Sequence, residues 1–585
     1  MYKRQQLGLL KIDILGLQNL AILSQALYYA QKELPEGFDI TKIALDDAKT
    51  LALFAKGDTN GVFQFESAGI KNVLRKLKPA TFEHIVAVNA LYRPGPAQNI
   101  DKFIARRHGK EAVTIPDPSL KSILAPTFGI IVYQEQVMLV AESYAGFTLG
   151  EADVLRSAMS KKKVDKMQKL HEQFIKGALK NGHDQEQAEL IFSYIDEFAN
   201  YGFNRSHAVA YSKLAFELAY LKAHYPVAFF TALLNANLGE QKKVQQYVSE
   251  AKIRGIVVLA PDVNKSYKFW TSIENQLQMG LNNIRGVRTD FVTGVLEERQ
   301  NNGSFQTIQS FVRRLPDKMR KREVLEQLVY AGALDSFGYN RRELIENIAS
   351  LIEGASFGNL ILEETKIKKY DDFALSDRLK KEKEVIGVNL SGHPLDTYVD
   401  FILENGFSQI GNVVQPSQVE KIIAIVDSIR QIRTKKGDDM AFVKVSDTTG
   451  EISVTIFPQL FKKISNFLKP GTILSIAGKS ERDMRNEIAI VANHINLAPE
   501  PQRVQSIQGT WFLQLDEKHD TPERREEISQ IMKKHHGHNP VVIHWQKDGK
   551  NQKLDQEFWM TSETVIMREL AALLGSENII FKQTY

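Results

Sequence analysis

The 585 residues include no cysteine. That absence excludes disulfide cross-links and thiolate metal sites. No apolar run approaches the ~20 residues that a bilayer-spanning helix needs. The first residues also lack the uninterrupted apolar segment and small-residue cleavage site of a secretory signal. Neither sign of charge is scarce: 75 Lys and Arg stand against 70 Asp and Glu, a net +5. Such a balance permits a polyanionic partner without demanding one. A cytoplasmic location is expected. What is present, 43% hydrophobic and 25% charged residues, fits a globular chain, and its length calls for several cores, since one rarely grows beyond ~250–300 residues.

LGLLKIDI (7–14) reads as a strand with Leu10, Ile12 and Ile14 on one face and Lys11 and Asp13 on the other. A carboxylate in that apolar run is costly to bury alone. Asp13 is therefore a solvated strand-edge residue, a helix cap or a metal ligand. A helix follows in LQNLAILSQALYYAQKEL, ended by Pro35 and Gly37. Residues 42–230 are mostly helical, punctuated by YRPGP, PDPS and YGFNRSH. Basic clusters at 71–78, 106–110 and 160–166 each read as a solvated face, although their concentration in one region suits a polyanion. RGIVVLAPDVNKS (254–266) is strand-like, and short helices with glycine turns occupy 280–350.

From about residue 415 the pattern becomes β. Five short strands, with the helix-like QLFKKISNFL after the third, predict a Greek-key barrel of the OB type. PEPQRVQSIQG (499–509) reads as a linker. The last segment is a small α+β domain whose first helix has Thr521 as N-cap and Pro522 in its first turn.

Two tempting signals fail. Gly478-Lys479-Ser480 resembles a P-loop, but the required upstream glycine is Ile473. His535, His536, His538 and His544 suggest a metal cluster, yet a helix C-terminus with Gly537 as its cap explains the run more simply. Phosphate-binding turns are better signals. Gly280, Arg285 and Gly286 in GLNNIRGV have the form of a helix–hairpin–helix turn, with AGALDSFG (331–338) as a second; the alternative is an ordinary helix connection. Arg433, Lys435 and Lys436 form a basic barrel loop suited to single-stranded nucleic acid, or a solvated hairpin. YGFNRSHAVAY (201–211) gathers Tyr201, Gly202, Asn204, Arg205, Ser206 and His207 where a turn enters a helix. It either cradles phosphates and meets a base or is a tight turn between core helices.

LGLLKIDILGLQNL, GVFQFES, ALYRPGP, FGIIVYQEQVM, GEADVLRSAMSKKK, FANYGFNRSHAVAYSKLAFELAYLKAHYP, SGHPL and RTKKGDDMAFVKVSD occur in that order. Together they resemble the C-terminal part of bacterial DNA polymerase III alpha subunits, over essentially the whole chain. The resemblance implies a multidomain, α-rich architecture: the end of a polymerase-beta-like palm (1–17), fingers (18–265), tandem helix–hairpin–helix elements (266–400), an OB domain (401–500) and an α+β C-terminal domain (505–585). It implies DNA-directed nucleotidyl transfer from a dNTP to a primer 3′-OH with two Mg²⁺ ions, for which hard oxygen ligands are needed. Asp13 would be one of three palm carboxylates holding the metals. Arg93, Arg156, Lys161, Lys162, Lys163, Asn204, Arg205, Ser206 and His207 match the fingers elements facing nucleotide and template.

The resemblance also implies primer-template DNA, dNTPs and the clamp loader's tau subunit as partners. The family's clamp-binding peptide corresponds to Glu353–Phe357, which has neither its Gln nor its Leu, and RSAMSKKK replaces the usual RRAMGKKK. No Asp-x-Asp pair, the source of the other two palm carboxylates, occurs in the sequence. The chain alone is therefore expected not to polymerise. The rival readings are a non-catalytic DNA-binding scaffold and, more remotely, an unrelated nucleic-acid enzyme with an OB module.

Overall fold

The computed structural model describes residue 8 and residues 16–583, apart from 94, 161–163, 200–201, 274, 357–365, 399–400, 403–404, 414–415, 435–436, 448, 483–487, 500–508, 517–518, 548 and 562–563. The expected strand around Asp13 lies outside the described residues, as do Lys161–Lys163, Tyr201, Lys435 and Lys436. The chain divides into two compact units, Met1–Ser391 and Gly392–Tyr585.

The first unit is helical and organised around the helix Arg205–His224. That helix carries two apolar stripes. Leu214, Leu218 and Leu221, spaced four and three apart, enter a core shared with Phe229, Phe230 and Trp270. Ala208, Ala215 and Ala219 enter a second core with Phe54, Phe65 and Ile85. Small residues on this second stripe let the helix Phe82–Leu91 come close, and the buried Asn89 amide donates to Ser212 Oγ at 3.1 Å. A third core, containing Leu155, Phe174 and Ile195, lies among the helices Gln134–Ala145, Leu149–Ser160, Val164–Lys180 and Gln185–Ala199.

Of the strand-like run 254–266, only Val258–Leu259 pairs, in a three-stranded sheet with Gln276–Gln278 at its centre. The last helix of the region where short helices are expected, Arg341–Ser356, runs six residues past position 350, and a further helix, Leu375–Ile386, follows. A buried network ties them. Arg341 donates to Glu382 at 3.0 Å and to Asp335 at 2.8 Å, and Glu382 accepts the Ser391 N–H of the SGHPL motif at 2.9 Å.

In the second unit, strands Val419–Arg433, Asp439–Ser446, Glu451–Ile456, Ile488–Leu497 and Ile473–Arg482 close in that order into a barrel. The helix Pro458–Ile464 follows the third strand, as the pattern predicted, and Ile464 joins Val443, Val454 and Ile476 in the barrel core. Gly478-Lys479-Ser480 lies within a barrel strand, with Ser480 fully buried, so the P-loop likeness has no loop behind it.

Residues 509–583 form a four-stranded sheet in the order Lys550–Lys553, Val541–Trp545, Gly509–Leu515, Ile579–Gln583. Helices Pro522–Lys534 and Thr564–Leu574 supply Ile528, Met532, Ile566 and Leu570 to its core. Thr521 caps the first of these helices as expected. Gly537 does not cap it. It sits in the strand His536–Asn539, where a Cβ would come within 2.4 Å of the Thr561 nitrogen. Close backbone approach explains this glycine.

Candidate functional site

YGFNRSHAVAY does form a turn entering a helix, and the FGIIVYQEQVM segment holds it in place. Asn204 is the N-cap, its side chain accepting from the His207 N–H at 2.8 Å. The next segment then uses each residue of Gln134-Glu135-Gln136. Gln134 donates twice, from its N–H to Phe203 O and from its side chain to Gly202 O, both at 2.9 Å. Glu135 accepts from the Asn204 amide and the Arg205 N–H, both at 2.9 Å. Gln136 accepts from the Val132 and Tyr133 N–H groups at 2.8 and 3.0 Å, starting its own helix. At Gly202 a Cβ would lie 2.6 Å from the Phe198 ring, so glycine is required by contact.

Arg93 of the YRPGP segment completes the site. Its guanidinium lies 4.1 Å from the centroid of the Phe203 ring, within cation–π range. Phe203 meets His207 edge-on at 5.5 Å, His207 tilts over Tyr211 at 4.1 Å, and Tyr211 meets Phe63 at 5.1 Å. The result is a continuous row, Arg93–Phe203–His207–Tyr211–Phe63, drawn from three of the sequence motifs. Arg205, Ser206 and His207 are exposed along it.

The charges in this row differ in state. The Arg205 guanidinium pairs with both Glu83 oxygens at 2.9 and 3.0 Å. Among the described residues no carboxylate is ion-paired with Arg93, which is exposed. Tyr133, buried under the turn, has its phenol pKa pushed up, first by burial and then by the Glu83 charge. It stays protonated and serves as a wall.

Arg156 lies apart in the fold, on the helix Leu149–Ser160, where it pairs with Asp153 at 2.8 Å. Gly280 is buried, and Arg285 and Gly286 are exposed just before the helix Thr289–Asn302. Gly286 has φ +84°, the left-handed backbone that favours glycine. The second hairpin differs from the first. Gly332 is buried, and a Cβ there would meet the Arg341 guanidinium at 2.4 Å. An internal arginine, not open solvent, faces that glycine. Arg433 pairs with Asp439 at 3.5 Å and is 79% exposed. Glu353–Ser356 form the last turn of a helix, and Phe357 lies outside the described residues.

Sequence reasoning missed Glu83, Glu135 and Phe203. It also missed an outer row of the barrel, where the strand register sets Arg430 opposite Phe442 and Phe442 opposite Thr455, with Lys444 one pair along. Strict alternation in Ala441-Phe442-Val443-Lys444-Val445 was the available signal, since it turns Phe442 and Lys444 outward.

Residues 19–182 match the bacterial DNA polymerase III alpha subunit finger domain, 255–344 a helix-hairpin-helix motif, and 421–498 an OB-fold nucleic acid binding domain. DNA polymerase III subunit alpha of Bacillus subtilis (strain 168) is 38% identical over 594 residues, covering 99% of this chain. Nearly the whole chain is thus similar to a part of DNA polymerase III alpha subunits. The same-named protein of Streptococcus pyogenes is 39% identical over 546 residues, covering 92% of the chain. The chain spans about half the length of these alpha subunits, 53% and 50% respectively.

Proposed function

We propose that the chain is part of a replicative DNA-directed DNA polymerase, in which template-directed dNTP addition extends a primer 3′-OH. The observation that carries this is the Arg93–Phe203–His207–Tyr211 row at the N-terminus of the Asn204-capped helix. An exposed arginine without a carboxylate partner among the described residues suits a triphosphate, and a row of flat rings suits a base. Arg156 and Lys161–Lys163 would face nucleotide and template from a separate element, outside this row.

The exposed hairpin at Arg285 and Gly286 would meet the duplex backbone, and the Arg430–Phe442 row with Arg433, Lys435 and Lys436 would hold single-stranded template. The C-terminal domain would dock the tau subunit, a role its exposed Phe512 and Ile580, paired across neighbouring strands, support. A sliding clamp is not assigned to Glu353–Phe357, which lacks the Gln and the Leu of the family's clamp-binding peptide. The whole would work in the cytoplasm; no helix among the described residues is long and apolar enough to cross a membrane.

Mg²⁺ is the cofactor this chemistry calls for, with Asp13 as a ligand, where it would neutralise charge on the triphosphate. Among the described residues no group of three His, Asp or Glu is placed to hold a metal ion, and Asp13 lies outside them. The described residues therefore do not make that site by themselves, and their part is to bind and orient. Primer extension with dNTPs and Mg²⁺, run beside equilibrium binding of primer-template DNA, tests this. DNA binding that falls with salt and weakens in Arg93→Ala, without nucleotide incorporation, is the expected outcome. Robust incorporation by the chain would overturn the division of labour, and absence of DNA binding would overturn the reading.

A further inference from the structure

The segment Lys265-Ser266-Tyr267-Lys268-Phe269-Trp270 alternates between interior and solvent. Ser266 and Trp270 are fully buried, whereas Tyr267 and Phe269 are 57% and 42% exposed. The two outward aromatics stand on a fixed platform. Leu281 N–H donates to Tyr267 O at 2.9 Å and Asn282 N–H to Lys268 O at 3.1 Å. A Cβ on Gly280 would lie 2.3 Å from the Phe269 carbonyl carbon, so the hairpin that carries Arg285 and Gly286 is pressed directly onto this segment. Trp270 N–H donates to Asn235 at 2.8 Å on the other side.

Each ring has a cation beside it. The Arg299 guanidinium lies 5.4 Å from the Tyr267 centroid and is pinned by donating to Val263 O and Ser266 O, both at 2.9 Å. The Lys268 ammonium lies 5.6 Å from the Phe269 centroid. Between residues 262 and 290 the chain carries Lys265, Lys268, Arg285 and Arg288 against Asp262, Glu274 and Asp290, and Arg288 pairs with Asp290 at 3.2 Å while Arg299 adds a cation from the neighbouring helix. Flat apolar rings in a positively charged surround suit a polyanion that bears exposed flat rings of its own. Duplex DNA does not meet that description, because its bases are already stacked on each other.

We propose that Tyr267 and Phe269 form a stacking site for unpaired nucleotides, beside the hairpin that holds the duplex backbone. This rests on the DNA-binding reading above and adds to it a position in the first unit where a strand is received after it leaves the helix. Tyr267 and Phe269 bind the bases, Lys268 and Lys265 face the strand's phosphates, and Arg299 polarises and orients the Tyr267 ring from beneath.

The test uses the full chain and two fluorescent probes: a blunt duplex, and the same duplex with a single-stranded 5′ overhang carrying 5-iodouracil next to the junction. The double variant Tyr267→Ala/Phe269→Ala is expected to bind the overhang probe about tenfold more weakly, with blunt-duplex affinity unchanged. Tyr267→Phe keeps the ring and is expected to bind as the parent does. Irradiation of the parent complex is expected to cross-link the iodouracil to Tyr267 or Phe269. Unchanged overhang affinity in the double variant, equal losses on both probes, or cross-links confined to the barrel would each overturn the stacking site. Retained binding to the blunt duplex would leave the DNA-binding reading standing in those cases. A parent chain that binds neither probe removes both.

Discussion

Lys222 shows how much of this protein rests on single buried charges. Its side chain is fully buried, 2.6 Å from Glu250 and 3.5 Å from Asp58, and it also donates to the carbonyls of Asp58 and Asn60 at 2.9 Å. Those bonds fasten the turn around Asp58 and Asn60, immediately before the GVFQFES segment, to the central helix, three residues from Phe63 at the end of the aromatic row. Lys222→Met would leave Glu250 with Arg254, at 3.3 Å, as its remaining cation and take the donor from two buried carbonyls, and we expect a loss of about 3–5 kcal/mol, read as a shift in the denaturant midpoint of the first unit. His84 gives a pH signature. Burial, then the Arg107 and His108 charges, lower its pKa from 6.5 to about 4. Its ring nitrogen accepts from the Ala80 N–H at 3.2 Å, which requires the neutral form. Between those two pH values the unfolded chain takes up a proton that the folded chain refuses, so stability falls as pH is lowered through the window. His84→Gln should flatten the slope of melting temperature between pH 6.5 and 5, above the range where most carboxylates titrate.

At the scale of elements, two local devices are open to direct measurement. The Asn204 cap serves both its helix and the bridge to Glu135, and Asn204→Ala is expected to cost about 1 kcal/mol from the cap. Because the same side chain aligns Arg205, weaker nucleotide binding should accompany the lowered melting temperature; a stability loss with unaltered binding would separate the turn from the ligand. In the barrel, Phe442→Ala should weaken single-stranded DNA binding about tenfold with little change in salt dependence, since it removes a stacking face. Arg430→Ala should instead reduce the slope of log affinity against log salt by about 0.7, the value for one phosphate contact on a single strand. Titrations at several salt concentrations distinguish the two. The barrel itself was legible from alternation: Ile422, Ala424 and Val426 point inward because successive strand side chains face opposite sides. The two hairpins were not separable in that way. Gly286 and Gly332 sit in similar glycine turns, but Arg341, nine residues beyond Gly332, folds back beneath it, and no local pattern announces that.

At the scale of the molecule, the second unit has cores of its own, one inside the barrel and one beneath the four-stranded sheet. A fragment covering 392–585 is therefore expected to fold alone, with cooperative thermal unfolding and retained single-strand binding; a fragment without a melting transition would show that it depends on the first unit. The sequence by itself determined the helix cap at Thr521 and the barrel's strands, because each follows from residue type and spacing within a few positions. Tertiary structure alone decided which charges stay available. Arg93 and Arg205 look equivalent in the sequence, yet Glu83 and Glu135, 122 and 70 residues before Arg205, engage its side chain and backbone while Arg93 stacks on Phe203. Coulomb attraction and stacking act over a few ångströms, and only the folded chain brings such distant residues that close.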